Sequence, residues 1–386
     1  MAQTADFIVM AKPVGPGCNM RCSYCYYLGK SALFPDGPWR MSEGLLERYI
    51  IQRLEALTSP TPTTHFEWHG GEPTLLGLDY FRFIVSVQRS HRPPGRKVTN
   101  GIQTNGLLLD EDWGEFLKEE DFSVGLSMDG PADLHDVNRR AAGGGPTHAQ
   151  VTAAFRLLKR HGVFCNLLCV LSTANVTAPD RVYDFFRQLG VTHLQFLPLG
   201  KASPGAPTPE AVGTFLCRVF DRWIAEDVGR IVIQTFDEAL RPVYGIPHAL
   251  CIHRETCGDV AVLEHDGGLY ACDHFVDADH LIGNLKDRTL SDMMADPRMS
   301  LFGRTKRDAL PRACRKCDVL SACNGGCPKD RIALAPDGEP GFNCLCPAYK
   351  AFFRHSRPGL YRLAQHMKMG GPLRAFSFKT ASSRGR

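Results

Sequence analysis

The chain has 386 residues, 44% hydrophobic and 22% charged, with 15 cysteines and a formal net charge of +4. This excludes a low-complexity or disordered chain, and no apolar run reaches the roughly 18 residues of a membrane helix. Residues 1–13 lack the basic start and apolar stretch of a signal peptide, so we expect a cytoplasmic protein whose cysteines serve metal or redox chemistry rather than disulfides.

The first two thirds of the chain alternate between strand-like and helix-like segments. Strands are predicted at Phe7–Ala11, His65–Trp68, Val98–Gln103, Phe122–Met128, Val163–Leu171 and Val191–Leu197. Helices are predicted behind an N-cap at Ser42 and at Tyr80–Arg89, Trp113–Lys118, Ala149–His161 and Asp180–Leu189. Repeated strand–helix units predict an α/β fold, a partial parallel (β/α)6 barrel, in which the loops after the strands line the active face.

The pattern changes in the last third of the chain. A loop at Lys201–Pro209 precedes a helix over Glu210–Ala225 and a strand over Ile231–Gln234, and the alternation stops near Pro242–Pro247. Nine cysteines lie between Cys251 and Cys346, where long apolar segments are few. We therefore predict a barrel over 1–240, a cysteine-rich domain held together by metal over 241–353, and a basic tail over 354–386.

The positive charge is concentrated at the C-terminal end. Nine Lys or Arg residues and no Asp or Glu occur from position 350 to 386, which leaves 36 basic against 41 acidic residues elsewhere, a balance of −5. Such a segment can dock an acidic partner or a nucleic acid, or it can be a solvated tail. Its sparse charges favour the tail, and we predict neither a nucleic-acid nor a membrane partner.

A loop with closely spaced cysteines follows the first strand, in the pattern Cys18-x3-Cys22-x2-Cys25. Three thiolates at this spacing suit a cuboidal iron–sulfur cluster, and no fourth cysteine occurs before Cys165. A cluster with three protein ligands leaves one iron open to a small molecule. The alternative is a zinc site completed by a distant His or Cys.

The cysteine loop resembles the hallmark of the radical S-adenosylmethionine (SAM) superfamily. The resemblance implies that Gly70, Gly71 and Glu72 bind the amino group of SAM, after the second strand. It also implies that Ser127 and Arg139 bind its carboxylate, with Tyr24 beside the cluster. Glycines let the backbone approach a ligand, and a guanidinium matches both oxygens of a carboxylate.

The second group of cysteines could hold a zinc-ribbon site or iron–sulfur clusters, since nine cysteines suffice for two four-cysteine sites with one to spare. The pattern resembles the SPASM extension of radical enzymes that modify peptides and proteins. The resemblance implies two interleaved ligand sets: Cys251, Cys257, Cys272 and Cys327 for the first auxiliary cluster, and Cys314, Cys317, Cys323 and Cys346 for the second. Cys346 is chosen over Cys344 because the segment that follows it matches the family better.

Together the motifs resemble the anaerobic sulfatase-maturating enzymes, which oxidise a Cys or Ser of a sulfatase to formylglycine. The resemblance implies three [4Fe–4S] clusters, SAM and hydrogen abstraction by a 5′-deoxyadenosyl radical. Asp273 would be the general base, the first auxiliary cluster the electron acceptor, and flavodoxin or ferredoxin the electron donor. Tyr27 is a predicted substrate contact, as is His69, where that family tends to carry Gln. The alternatives are a maturase of a ribosomally made peptide and a zinc-binding scaffold protein.

Overall fold

The computed structural model describes residues 7–35, 37, 39–56, 63–376 and 378. The first six residues therefore lie outside the described residues, as do residues 377 and 379–386 of the predicted tail. The strands are β1 (Ile8–Lys12), β2 (Thr63–Trp68), β3 (Lys97–Thr104), β4 (Phe122–Ser127), β5 (Cys165–Leu171), β6 (His193–Pro198), β7 (Val232–Ile233), β8 (Val260–Glu264), β9 (Gly268–Tyr270), β10 (Leu281–Asn284), β11 (Ala333–Leu334) and β12 (Pro340–Phe342).

The helices alternate with these strands through the first two thirds of the chain. They are α1 (Glu43–Glu55), α2 (Leu78–His91), α3 (Glu111–Glu119), α4 (Ala132–Asn138), α5 (His148–His161), α6 (Pro179–Leu189), α7 (Pro209–Glu226), α8 (Gln234–Tyr244), α9 (Leu290–Met294), α10 (Pro297–Asp308), α11 (Arg312–Arg315), α12 (Leu320–Cys323) and α13 (Cys346–Lys368). None of the helices in the described part of the chain is both long and apolar enough to cross a bilayer.

The chain divides into two compact units. The first contains the described residues up to 127 together with 139–165 and 257–305, and the second contains 128–138, 166–256 and the described residues from 306 onward. In the first unit the strands neighbour one another in the order β10-β9-β8-β1-β2-β3-β4. Strands β1 to β4 are parallel, as is β8 beside β1, while β9 and β10 are antiparallel to their neighbours.

The second unit contains the parallel strands β5, β6 and β7, in that order, and the β11–β12 hairpin. Its core is aromatic: the rings of Phe236 and Phe352 stack with their centroids 5.4 Å apart, and Phe220 packs edge-on against both. Helix α13 lies close to α7, since a Cβ at Gly213 would be only 3.2 Å from the Cα of Ala348. This packing buries the apolar side of α13.

Local signals account for most element ends. Ser42 caps α1 by accepting a hydrogen bond from the backbone N–H of Leu45, which confirms the predicted N-cap. Gly162 ends α5 in the left-handed conformation, with φ of +68°, where a side chain would be strained. Of the predicted strand over Ile231–Gln234, only Val232 and Ile233 form β7, because helix α8 begins at Gln234.

Two features differ from the division expected from composition. Strand β8 lies within the predicted cysteine-rich domain, yet it pairs along its whole length with β1 of the barrel, from Ile8 opposite Val260 to Lys12 opposite Glu264. Helix α13 continues through position 353 to Lys368, so the first 15 residues of the predicted tail are helical. Both segments have apolar side chains that are buried against their own unit, and this burial explains why β8 joins the barrel sheet and why α13 continues as a helix.

Candidate active site

The loop that follows β1 brings together three of the predicted cluster ligands. Turns close it from Val14 O to Gly17 N at 3.2 Å and from Cys22 O to Cys25 N at 3.0 Å. Burial raises the pKa of the Cys18 thiol to about 11, and the nearby Cys22 and Cys25 act in the same direction. A positively charged metal group would favour the thiolate forms, so these three donors fit an iron–sulfur cluster.

The Gly-Gly-Glu-Pro loop after β2 packs directly on the cysteine loop. Gly71 N donates to Gly15 O at 2.7 Å, and Glu72 N donates to Gly17 O at 2.8 Å. A Cβ at Gly71 would lie 2.0 Å from the carbonyl oxygen of Gly17, so only glycine fits at this position. The two loops therefore form one backbone-lined wall beside the three cysteines.

The Glu72 carboxylate is fully buried and bonded within the protein. Its oxygens accept hydrogen bonds from the hydroxyls of Thr74 and Thr104, at 2.6 and 2.7 Å, and from the backbone N–H of Asn105 at 2.7 Å. Burial raises the pKa of Glu72, against the lowering effect of these bonds. The side chain thus ties the loop after β2 to the end of β3.

The two predicted carboxylate-binding residues both belong to the first unit. Ser127 ends β4, and its hydroxyl accepts a hydrogen bond from Gln103 Nε2 at 3.2 Å. Arg139 is buried, with its guanidinium carbon 5.6 Å from the ring centroid of Tyr24. The predicted cofactor contacts Tyr24 and Arg139 are therefore neighbours, which places a cation over an aromatic face next to the cysteine loop.

Asp273 forms an ion pair with Lys12, the last residue of β1, and accepts a hydrogen bond from the hydroxyl of Tyr26. Burial raises the pKa of Asp273, but Lys12, His274 and the hydrogen bond from Tyr26 together outweigh this effect and hold the pKa well below its usual range. Asp273 is therefore a carboxylate at neutral pH.

The two adjacent tyrosines after the cysteine loop differ in exposure and in partner. Tyr27, the predicted substrate contact, is only 3% exposed, and its hydroxyl donates to the Glu264 carboxylate at 2.6 Å. The adjacent Tyr26 is 49% exposed and holds Asp273 instead. Burial lowers the pKa of His69, which favours the neutral ring. His69 is also close enough to Asp273 and Lys12 for their charges to affect this pKa.

Sequence reasoning missed Lys12, Tyr26 and Glu264. Lys12 had a readable signal, because a lysine ends an apolar strand immediately before the cysteine loop. Glu264 ends β8, which pairs with β1, so only the strand order places its carboxylate beside Tyr27.

The second unit contains one complete predicted four-cysteine set. Cys314, Cys317, Cys323 and Cys346 line a single pocket together with Val319, Leu320, Gly325, Asn343 and Lys350. Burial raises the pKa of Cys323 to about 12 and that of Cys346 to about 11. Cys344 lies apart from this pocket, and its sulfur accepts a hydrogen bond from the backbone N–H of Lys201 at 3.5 Å. Of these two cysteines, only Cys346 lines the pocket.

The other predicted set is divided between the units. In the second unit, Cys327 is close enough to Cys251 for their charges to interact. Lys306 is fully buried there, and its ammonium donates to the carbonyl oxygens of Cys251, Ile252 and Arg254. Cys257 and Cys272 belong to the first unit, where Cys257 N donates to Gly303 O at 3.3 Å.

A single metal ion finds no ready-made site in the described residues, where no three His, Cys, Asp or Glu side chains are grouped to hold one. The four sulfur donors around one pocket have the chemistry that an iron–sulfur cluster requires.

Two family sequence models match the chain. The radical SAM superfamily matches residues 13–195, and SPASM, described as an iron–sulfur cluster-binding domain, matches residues 251–318. The first match covers the cysteine loop, and the second covers the start of the second cysteine group. Both matches confirm the expected fold class, a partial barrel followed by a SPASM domain, and its cofactors: SAM and [4Fe–4S] clusters.

Characterised relatives match over almost the whole chain. A serine-type anaerobic sulfatase-maturating enzyme of Bacteroides thetaiotaomicron is 38% identical, over 91% of this chain and 89% of its own. A cysteine-type enzyme of Clostridium perfringens is 32% identical, over 93% and 99%. The solved structure of anSMEcpe with bound AdoMet and the Cp18Cys peptide is similar with a TM-score of 0.84, at 31% identity over 93% of this chain and 99% of that one.

Proposed function

Because the chain belongs to the anaerobic sulfatase-maturating enzymes of the radical SAM superfamily, we propose that it oxidises an active-site Cys or Ser of a sulfatase to formylglycine. The observation that carries this function is the match of relatives of both types over nine tenths of the chain. A family match of this extent includes both the cysteine loop and the SPASM cysteines.

The cofactors supply hydrogen-atom abstraction from the target Cβ and a one-electron acceptor when they are bound. We propose that Cys18, Cys22 and Cys25 hold the cluster that binds SAM. The second auxiliary site is assigned to the cysteines that share one pocket: Cys314, Cys317, Cys323 and Cys346. Cys251, Cys257, Cys272 and Cys327 remain the proposed first auxiliary set.

The backbone wall formed by the cysteine loop and the Gly-Gly-Glu-Pro loop suits the amino end of SAM, because carbonyl oxygens can accept hydrogen bonds from an ammonium. Ser127 and Arg139 suit the carboxylate end, since the buried guanidinium of Arg139 gains most from a negatively charged partner. The proposed role of Glu72 is to position this wall, because its carboxylate is already bonded to Thr74, Thr104 and Asn105.

Asp273 is proposed to accept the thiol or hydroxyl proton of the target residue. A general base must be ionised before the reaction, and Lys12 keeps the pKa of this carboxylate low. Tyr26 fixes the orientation of the carboxylate and is itself half exposed, so it replaces Tyr27 as the proposed contact with the peptide. His69 remains a proposed peptide contact as a neutral hydrogen-bonding group.

The external partners follow from the chemistry. The sulfatase segment is the substrate, and a one-electron donor of the flavodoxin or ferredoxin class is proposed as the reductant. A reducing compartment such as the cytoplasm is proposed because clusters and free thiols persist there.

The test is an anaerobic incubation of the reconstituted holoenzyme with SAM, a chemical reductant and peptides containing Cys-x-Pro-x-Arg or Ser-x-Pro-x-Arg, followed by mass spectrometry. We expect at least one peptide to gain an aldehyde, with release of 5′-deoxyadenosine. Cleavage of SAM with both peptides unchanged would refute the substrate assignment.

Asp273→Asn tests the base in the same assay. The variant should retain cleavage of SAM and lose peptide oxidation by about 10²-fold or more, the usual contribution of general base catalysis. Asp279→Asn is the matched control, an exposed carboxylate six residues further along, and it should leave both reactions unchanged. Full peptide oxidation by Asp273→Asn would remove the aspartate from this role.

A further inference from the structure

Several basic residues are close in sequence or in space to the pocket lined by Cys314, Cys317, Cys323 and Cys346. We define the basic rim as six residues of the second unit: Arg312, Arg315, Lys316, Lys350, Arg354 and Arg357. Lys350 lines the pocket itself, and the charge of Arg354 is close enough to Cys317 for the two to interact. The rim therefore lies beside the proposed second auxiliary site.

Helix α13 supplies half of the rim. Positions 346, 350, 354 and 357 succeed one another at intervals of four, four and three residues, so they share one face of the helix. The cysteine ligand and three basic side chains thus lie in one row. Arg354 and Arg357 are exposed.

The rim retains a positive balance after its ion pairs are counted. Arg354 pairs with Asp318 at 2.8 Å, Arg312 with Asp337 at 2.8 Å, and Arg315 with Glu339 at 3.6 Å. Six basic residues against these three carboxylates leave +3 at the rim. The whole chain carries +4, so the residues outside the rim and these three carboxylates sum to only +1.

We infer that the basic rim is the docking surface for a small acidic electron-carrier protein. The inference rests on the proposed function, since a chain that cleaves SAM by one-electron reduction needs such a partner. In the exchange the reduced carrier loses one electron and the enzyme gains one, while no bond forms or breaks and no proton moves. Opposite charges around the two redox centres steer them together and speed their encounter.

Charge complementarity favours an acidic protein over a nucleic acid. Carboxylates are paired with three of the basic groups of the rim, which suits a protein surface of mixed charge better than a continuous row of phosphates. The four-cysteine pocket beside the rim gives a redox partner a reason to dock there.

The test compares association rates of an acidic bacterial ferredoxin with the reconstituted holoenzyme under anaerobic conditions, at low and high salt. Arg354→Glu/Arg357→Glu changes the rim from +3 to −1 and should slow association at low salt by about tenfold or more. It should also remove most of the salt dependence.

Arg230→Glu/Arg362→Glu is the matched control. It lowers the net charge of the chain by the same four units, but Arg362 is 16 residues beyond Cys346 on α13, about 24 Å along the helix. Arg230 follows Gly229, whose carbonyl oxygen accepts a hydrogen bond from Arg374, six residues beyond the end of α13. The control should associate at close to the wild-type rate.

Iron content and visible absorbance of each variant report whether its clusters are intact. If the double variant loses iron, Arg357→Gln replaces it, because this change retains the Arg354–Asp318 pair, and a smaller slowing is expected. Equal rates for rim variant and control would overturn the inference, as would a nucleic acid that displaces ferredoxin from the rim.

Failure of the proposed function is recognised separately. A holoenzyme that converts neither peptide with a chemical reductant contradicts the substrate assignment, whereas the association rates still test the docking surface.

Discussion

Gly71 shows how one residue decides whether two loops can meet. Its backbone N–H reaches Gly15 O at 2.7 Å, and the space that a side chain would need is occupied by the carbonyl of Gly17. The contact is between backbone atoms on both sides, so no flexible side chain can move away to make room.

Gly71→Ala should therefore separate the Gly-Gly-Glu-Pro loop from the cysteine loop. We expect lower iron content after reconstitution and at least about tenfold weaker binding of SAM, because a displaced backbone loses hydrogen bonds worth about 1 kcal/mol each. Equilibrium binding of SAM and iron analysis measure both effects. Gly44→Ala is the control, since a Cβ there meets nothing within 4 Å; unchanged SAM binding in Gly71→Ala would contradict the steric argument.

The choice between Cys344 and Cys346 is also made at the scale of single side chains. The two are separated by one residue, and only Cys346 lines the pocket with Cys314, Cys317 and Cys323. Cys346→Ala should lower the iron content by up to about four atoms per chain, the content of one [4Fe–4S] cluster. Cys344→Ala should retain the full content, and the reverse result would exchange the two assignments.

At the scale of elements, helix α13 differs most from expectation. Its exposed positions carry the basic residues that favoured a tail, and Pro358 lies inside the helix. Its buried positions include Phe353, Leu360 and Leu363, at helical spacing. Composition alone reports the exposed charges of this segment and not the helical spacing of its apolar residues, so it predicted a tail.

The pair between His355 of α13 and Asp221 of α7 predicts a pH-dependent stability. The hydrogen bond to Asp221, at 2.7 Å, raises the pKa of His355 above 6.5. A raised pKa means that the pair stabilises the fold fully below pH 6.5 and that this stabilisation is lost as the pH rises through the higher value of the folded state. The pair is partly exposed, so its contribution is at most about 1 kcal/mol.

His355→Gln should consequently lower the free energy of unfolding at pH 6 and leave it nearly unchanged at pH 9. Denaturant titration of the two proteins at both pH values measures the difference. Asp221→Asn should remove the same pH-dependent part, since the pair needs both partners. A deficit in His355→Gln that grows with pH would contradict this assignment.

At the scale of the whole molecule, charge and cysteines are distributed unevenly. The cysteine loop and Asp273 belong to the first unit, and the four-cysteine pocket with its basic rim belongs to the second. The net charge of +4 is the sum of a basic segment, residues 350–386, and an acidic remainder, residues 1–349. Three of the nine basic residues of that segment lie at the rim.

The sequence was sufficient for the cofactor class, the fold class and most strands and helices. Ligand spacing within one loop, glycines at a turn and an N-cap such as Ser42 act over a few residues, so they can be read directly. The same holds for the strand–helix alternation that predicted the barrel.

The tertiary structure was needed wherever distant segments meet. Lys12 and Asp273 are 261 positions apart. They meet because β1, which ends at Lys12, pairs in parallel with β8, which precedes Asp273. The tertiary structure also decides between adjacent residues, such as Tyr26 and Tyr27, by giving them different partners. Such choices depend on which strands become neighbours, and strand order follows from burial of the whole core rather than from any local pattern.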